Sequence, residues 1–312
     1  MKERISQPLV TIIIPSYNQG QFIRKTLESI FEQDYRPIEV VVVDGASKDN
    51  TVEVLNAFSH HPELKWISEP DKGVVDAVNK GFARATGTFA AIQSSDDYYL
   101  PGAMSAAVAA LEADPSLAFV FGDVMKVDAE GRELVRSQLA PYSLENVLAV
   151  RTWIPQPSTF FRLDLARELG GWRESVPYAA DTDLWLRMAF KAGAQKIDHL
   201  MAGRTMHEAQ RDKHGDRIVR DYTRMLAELE PLRRSPIRLQ RVAEAGRLRT
   251  VAHYKPPHGY WRQWRLSVHA AWLDPRSLDH IDPMSFIPGW YPLRAYMSAV
   301  RRKLLYVNHT PR

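Results

Sequence analysis

An α/β fold is what this sequence predicts: a mostly parallel sheet with helices on both faces, then a helical, basic C-terminal extension. Three observations carry that expectation. Apolar runs such as Thr11-Ile12-Ile13-Ile14 and Val40-Val41-Val42-Val43 are continuous rather than alternating, as strands buried on both faces must be. Between them apolar residues recur at helical spacing, so strand and helix alternate and the crossovers are parallel. Residues 233–312 hold fifteen Lys/Arg against four acids, whereas residues 1–232 hold 26 basic and 33 acidic residues. That asymmetry sets the extension apart as a region with a task of its own.

Residues 9–14 predict a first strand, ended by Pro15, and Phe22, Ile23, Leu27, Ile30 and Phe31 predict the helix after it. Residues 38–43 predict a second strand closed by Asp44-Gly45. Ser47 to Asn50 then lead into a helix bearing Val54, Leu55 and Phe58, with Asp49 or Ser47 as its cap. A strand at 64–68, a helix at 74–85 and a strand at 89–93 complete the parallel part. Beyond come a helix near 102–113, a strand at 117–124, a Pro-rich crossing at 154–157, helices at 164–169 and 183–192, and a strand at 197–201. From about residue 216 the chain turns to Arg-rich helical segments broken by prolines. The expected domains are therefore 1–215, the α/β body, and 216–312, a basic, aromatic-rich, mainly helical region.

Hydrophobic residues at 45% and charged residues at 25% exclude a disordered chain. The absence of cysteine excludes disulfides, zinc-thiolate sites and a cysteine nucleophile. No stretch reaches the roughly 18 apolar residues of a membrane-spanning helix. A cytoplasmic chain, at most peripheral on the inner face of the cytoplasmic membrane, is the expectation.

In parallel sheets ligands bind at the carboxyl ends of the strands, and four predicted strand ends carry polar chemistry. Pro15-Ser16-Tyr17-Asn18 offers a rigid turn and a ring that could cover a flat ligand, or is only a turn. Asp44 enters a helix-starting loop, where its carboxylate suits the N–H of a base or ribose hydroxyls, or serves the loop alone. Asp71, with Lys72, Asp76 and Lys80, opens a helix that could grip a ribose or pyrophosphate, or is a solvated helix start. Asp96-Asp97 closes a buried strand with two adjacent carboxylates, which repel unless a cation or hydrogen bonds compensate. Hard oxygen ligands suit Mg²⁺ or Mn²⁺ bridging to a diphosphate. Later, Asp181 and Asp183 stand at the head of a helix, one to cap it and the other to act as a base. His207 follows a strand and could complete a metal shell, as could His214.

As an ordered set these segments resemble the family 2 glycosyltransferases of the GT-A fold. The matching stretches are Val10 to Asn18, Val43-Asp44-Gly45-Ala46-Ser47, Ser68 to Gly73, Asp76 to Gly81, Ser95-Asp96-Asp97 and Asp181 to Arg187. The resemblance implies a metal-dependent, inverting transfer from a nucleotide-diphosphate sugar, a UDP-sugar being favoured, to a hydroxyl of a glycan or polyprenyl-linked acceptor. Such an enzyme fits cell-surface polysaccharide synthesis, of the O-antigen or exopolysaccharide kind. It implies that Pro15, Tyr17 and Asp44 hold the base, Asp71 the nucleoside and Asp96 ribose or donor sugar. It further implies that Asp97 and His207 bind Mn²⁺ or Mg²⁺ and that Asp181 is the catalytic base. Gln156, Asp183 and Trp185 fall on the acceptor side.

Ala180 stands where many relatives have Glu, so Asp183 competes with Asp181 as the base. The Gln-x-x-Arg-Trp element of processive synthases is absent, which favours a non-processive transfer. A nucleotidyltransferase and a non-catalytic sugar-nucleotide or glycan-binding module are the other readings. The basic tail interleaves Trp and Tyr with Arg, as at Tyr260-Trp261-Arg262, Trp264-Arg265, Trp272, Trp290-Tyr291, Tyr296 and Arg301-Arg302-Lys303. That mixture suits an anionic membrane surface rather than nucleic acid; the alternative is that these rings pack the tail onto the body.

Overall fold

The computed structural model describes residues 7–207, 214–254 and 260–276, without the side chains of 260–263. The features at Trp290, Tyr291, Tyr296 and Arg301 to Lys303 lie outside the described residues, as do the Tyr260, Trp261 and Arg262 side chains. The described residues fall into two compact units, the second taking Glu145–Arg151 and the chain from His214 on, the first the rest.

The first unit is a sheet clothed by helices. Its strands are β1 (Val10–Ser16), β2 (Ile38–Asp44), β3 (Leu64–Ser68), β4 (Phe89–Ile92), β5 (Tyr98–Tyr99), β6 (Leu117–Val127), β7 (Glu133–Ser137), β8 (Thr159–Arg162) and β9 (Gly193–Thr205). Its helices are α1 (Ile23–Phe31), α2 (Thr51–Ala57), α3 (Val74–Arg84), α4 (Ala103–Ala113), α6 (Leu163–Glu168) and α7 (Ala180–Ala189); α5 (Leu144–Leu148) leads into the second unit. The sheet order is β3-β2-β1-β4-β8-β6-β9-β5, with β7 paired to β6 off that path.

Two halves of this sheet differ. β3, β2, β1 and β4 are parallel to one another. β8 then enters antiparallel between β4 and β6, while β6 and β9 run parallel. The mostly parallel expectation therefore describes the first half, and the second half is mixed.

Burial explains why the first half reads so clearly. Ile12, Ile13, Ile14, Val40, Val42 and Val43 are fully buried. Ile12, Ile14, Val40 and Val42 join α1 and α4 in one core, while Val41 and Val43 pack with Ala77 of α3 in another. Helices thus cover both faces, and Gly81 lets α3 approach β1 closely: a Cβ there would lie 2.3 Å from Ile13 Cγ2. β2 carries a buried acid in its interior. Glu39 accepts from Thr11 Oγ1, Lys65 Nζ and Thr86 N, each at 2.8 Å. Burial alone would push its carboxyl up, but these bonds hold it below the usual range.

The second unit contains α8 (Gly215–Glu228), α9 (Glu230–Arg233), α10 (Ile237–Tyr254) and α11 (Tyr260–Leu273). Ala245 and Leu248 of α10 pack against Ala270 of α11. Among the described residues no helix is long and apolar enough to cross a membrane.

Candidate active site

The carboxyl ends of the parallel strands lie level. Ser16, Asp44 and Ser68 are direct neighbours across β1, β2 and β3. Pro15 is half-buried, whereas Tyr17, just past the end of β1, is 59% exposed. A large ring held out at the active edge of the sheet is a ready platform for a flat ligand. The loop bearing it is laced to the next one. Asn18 N donates to Ser47 Oγ at 2.7 Å, and Lys48 N donates to Asn18 Oδ1 at 2.8 Å.

Asp44 is fully buried, and its partners belong to the protein. Its Oδ2 accepts from Ser47 N at 2.9 Å and from Ser68 Oγ at 2.6 Å, and Ser47 Oγ donates to Oδ1. Asp44 therefore organises the loop in which it stands. Asp71 is beside it, because a Cβ on Gly45 would fall 2.7 Å from Asp71 Oδ2. The Asp71 carboxylate also accepts from Gly73 N at 2.8 Å. Lys80 is committed to Glu69 at 2.9 Å and Asp76 at 3.3 Å, which is the solvated-helix reading. Asp49, not Ser47, meets the start of α2, accepting from Thr51 N at 3.0 Å.

Beyond β4, Asp96 and Asp97 part company. Asp97 is 4% exposed, and its Oδ1 accepts from Thr205 N of β9 at 2.9 Å. Burial, and then the neighbouring Asp96 charge, push its carboxyl well above the usual carboxylate range against the pull of Arg204. Asp96 instead meets His207, whose Nε2 lies 2.8 Å from Asp96 Oδ2 while its ring stacks on Phe22 at 4.8 Å. The structure thus joins His207 directly to Asp96 rather than to Asp97. Among the described residues, no three His, Cys, Asp or Glu side chains gather as a protein-only metal site. The buried, strained charge of Asp97 is nonetheless what a divalent cation relieves, and a diphosphate brings oxygens of its own.

The second acidic pair is built differently. Helix α7 begins at Ala180, and neither aspartate caps it through its side chain, contrary to the expectation that one would. Asp183 is fully buried between two guanidinium groups: Arg173 Nε at 2.9 Å, and Arg187 Nε at 2.8 Å. It is a buried ion-pair hub. Asp181 remains half-buried in the first turn, accepting from Thr182 N at 2.7 Å.

Trp185 requires a correction as well. It is 1% exposed and packs on Phe119 and Phe161 at 5.6 and 5.2 Å, so it belongs to the core and not to an acceptor-facing surface. Gln156 lies at the site but acts as a brace, with Oε1 accepting from Ser94 Oγ at 3.0 Å and Nε2 donating to Ile92 O.

Two residues escaped the sequence reading. Thr26 Oγ1 lies 2.7 Å from Asp97 O and 3.0 Å from Ser95 O, holding the Asp-Asp turn against α1. Its signal was present, since a polar residue on the buried stripe of a helix needs a partner. Arg204, whose guanidinium stands over Trp153 at 5.9 Å, places a cation near Asp97 that no motif announced.

The parallel half, the mixed continuation and the acidic turn after β4 are the GT-A architecture of nucleotide-diphospho-sugar transferases. The chain belongs to glycosyl transferase family 2, whose model matches residues 11–170. Asp181 and His207 lie beyond that match. The chain is 29% identical over 205 residues to the chondroitin synthase of Escherichia coli, covering 64% of this chain and only 29% of that protein. Among solved structures it is similar to residues 1–349 of Staphylococcus aureus TarS in complex with UDP-GlcNAc. There the TM-score is 0.67 at 18% identity, covering 84% of this chain and 79% of that one. It is also similar to the mannosyltransferase PcManGT of Pyrobaculum calidifontis in complex with GDP-Man and Mn²⁺. That likeness has a TM-score of 0.61 at 21% identity, covering 95% and 81%.

Proposed function

We propose that this chain is a non-processive, inverting glycosyltransferase that moves one sugar from a nucleotide-diphosphate donor to a hydroxyl. The observation that carries this reading is the level row Ser16, Asp44 and Ser68 beneath the exposed Tyr17, with Asp96-Asp97 one strand over. Tyr17 and Pro15 would take the base, Asp71 the nucleoside, and Asp96 ribose or donor sugar. Asp44 contributes by fixing the loop and by offering Ser47 as a partner that can yield. UDP is the favoured nucleotide, in line with the ligand named for TarS.

Asp97, with His207 beside it, would hold Mn²⁺ or Mg²⁺. The cation supplies charge neutralisation on the departing diphosphate. Asp181 would take the proton from the acceptor hydroxyl as its oxygen attacks the anomeric carbon. The pairing of Asp183 with Arg173 and Arg187 supports Asp181 over Asp183 in that role. The likeness to a chondroitin synthase supports a glycan acceptor; a polyprenyl-linked acceptor, and a place in cell-surface polysaccharide assembly at the inner face of the cytoplasmic membrane, belong to the same proposal.

A thermal-shift screen of nucleotide-diphosphate sugars with Mn²⁺ identifies the donor, because a ligand of the native state raises the melting temperature. Asp181→Asn should lower turnover by roughly 10²- to 10⁴-fold with donor binding retained. Asp97→Ala should lose the Mn²⁺-dependent part of donor binding. Transfer unchanged in both variants places the chemistry elsewhere.

A further inference from the structure

The second unit holds a cavity of about 340 Å³ between the start of α10 and the end of α11. Its wall is apolar, made by Ile237, Val242, Leu273 and Pro275, and its rim carries Arg238, Arg241 and Arg276. A volume of that size accepts a ligand fragment rather than a few waters.

The rim is short of negative charge. Arg238 and Arg276 share one carboxylate, Glu145, at 2.8 and 2.9 Å. Asp274 lines the cavity, but it is paired with both Arg151 and Arg249. Arg241 is exposed and has no ion-pair partner among the described residues. Five guanidinium groups therefore stand against two carboxylates in this part of the unit. Ile237 of this wall is 65% exposed, and Trp272, next in sequence to Leu273, is a second large apolar side chain facing solvent at 71% exposed.

An apolar hollow with a cationic rim and exposed Trp and Ile beside it matches one kind of surface, a bilayer whose headgroups are anionic. We propose that this cavity docks an anionic phospholipid of a membrane. The lipid phosphate meets Arg241 and Arg276, its first methylenes run along Ile237, Val242 and Leu273, and Trp272 enters the headgroup layer. The site is distinct from the strand-end carboxylates. It gives the membrane contact a residue-level basis, and it can fail while the transferase reading stands.

The full chain is mixed with sedimenting vesicles of phosphatidylcholine alone and of phosphatidylcholine with about one third phosphatidylglycerol. Retention on the anionic vesicles only is expected. Arg241→Glu should weaken that partitioning roughly five- to tenfold. Arg136→Glu, an equal charge reversal on exposed β7 of the first unit, should leave it within about twofold. Because the chain has no cysteine, Ile237→Cys can carry a polarity-sensitive fluorophore. Its emission should shift to the blue with anionic vesicles but not with inorganic phosphate, and the same label at Ser59→Cys should not move. Donor turnover of Arg241→Glu without vesicles should match the wild type, keeping this test apart from that of the active site. Equal retention on both vesicle types overturns the proposal, as do equal losses in Arg241→Glu and Arg136→Glu. A shift at position 237 with duplex nucleic acid but not with vesicles overturns it too.

Discussion

Two buried carboxylates in the first unit, Asp97 and Asp183, solve the same problem in opposite ways. Asp183 is enclosed by Arg173 and Arg187, so its charge is matched within the protein. Asp97 has one hydrogen bond from Thr205 and a more distant cation in Arg204, and its carboxyl is driven upward by burial and by Asp96. A charge that the fold neutralises for itself is architecture; a charge left costly at a strand end is a candidate for something that binds. The sequence shows both only as acidic doublets, and partners make the difference.

The largest expected effect tests the architectural side. Asp183→Ala leaves two guanidiniums facing a buried gap and should cost about 3–5 kcal/mol in denaturant unfolding; a loss near zero would mean that the hub holds nothing. Glu39 is a second matched acid, and Glu39→Gln should cost about 1–3 kcal/mol at neutral pH. Its folded carboxyl lies below the unfolded value of about 4.3, so the contribution is present above that pH and lost as pH falls through the folded value. The gap between wild type and Glu39→Gln should accordingly close in unfolding titrations taken below about pH 4. Thr26→Val removes the hydroxyl from the Asp-Asp turn and should cost about 1 kcal/mol. Donor affinity should fall with it, whereas a merely structural threonine would leave affinity untouched. Smallest of all is Asp97→Asn, which removes an uncompensated charge but keeps an acceptor for Thr205. Stability should stay within about 1 kcal/mol of wild type or rise, and a loss as large as that of Asp183→Ala would erase the contrast.

How much could be read without coordinates follows from burial. β1, β2 and β4 are buried on both faces and announce themselves as apolar runs. β9 spans Gly193–Thr205, yet only residues 197–201 were legible, because Gln195 and Lys196 break the apolar pattern before them and Gly203 and Arg204 break it after them. β8 has four residues, β5 has two, and β7 is largely exposed. Short or solvent-facing strands carry little periodicity, so the antiparallel insertion between β4 and β6 was invisible. The same limit governs the site. The positions of Asp44, Asp71 and Asp96-Asp97 at the strand ends were legible because each follows a readable strand or opens a readable helix. Trp185 was misplaced because an aromatic beside an acidic pair looks alike in the core and at an acceptor. Asp183 could be sorted from Asp181 only once Arg173 and Arg187 were seen to converge on it.

The pairing of β9 with β6 shifts register before Val124 and then runs without slip from Val124 opposite Ala202 to Val127 opposite Thr205. That last stretch is a measuring rod. Side chains alternate faces along a strand, so one residue inserted or deleted between Ala202 and Thr205 would take the Thr205 amide off Asp97 and shift His207 from Asp96. Upstream, the irregular pairing can absorb such a change. Length variation should therefore be tolerated along the first part of β9 and refused over its final turn toward the carboxylates, whatever residues fill it.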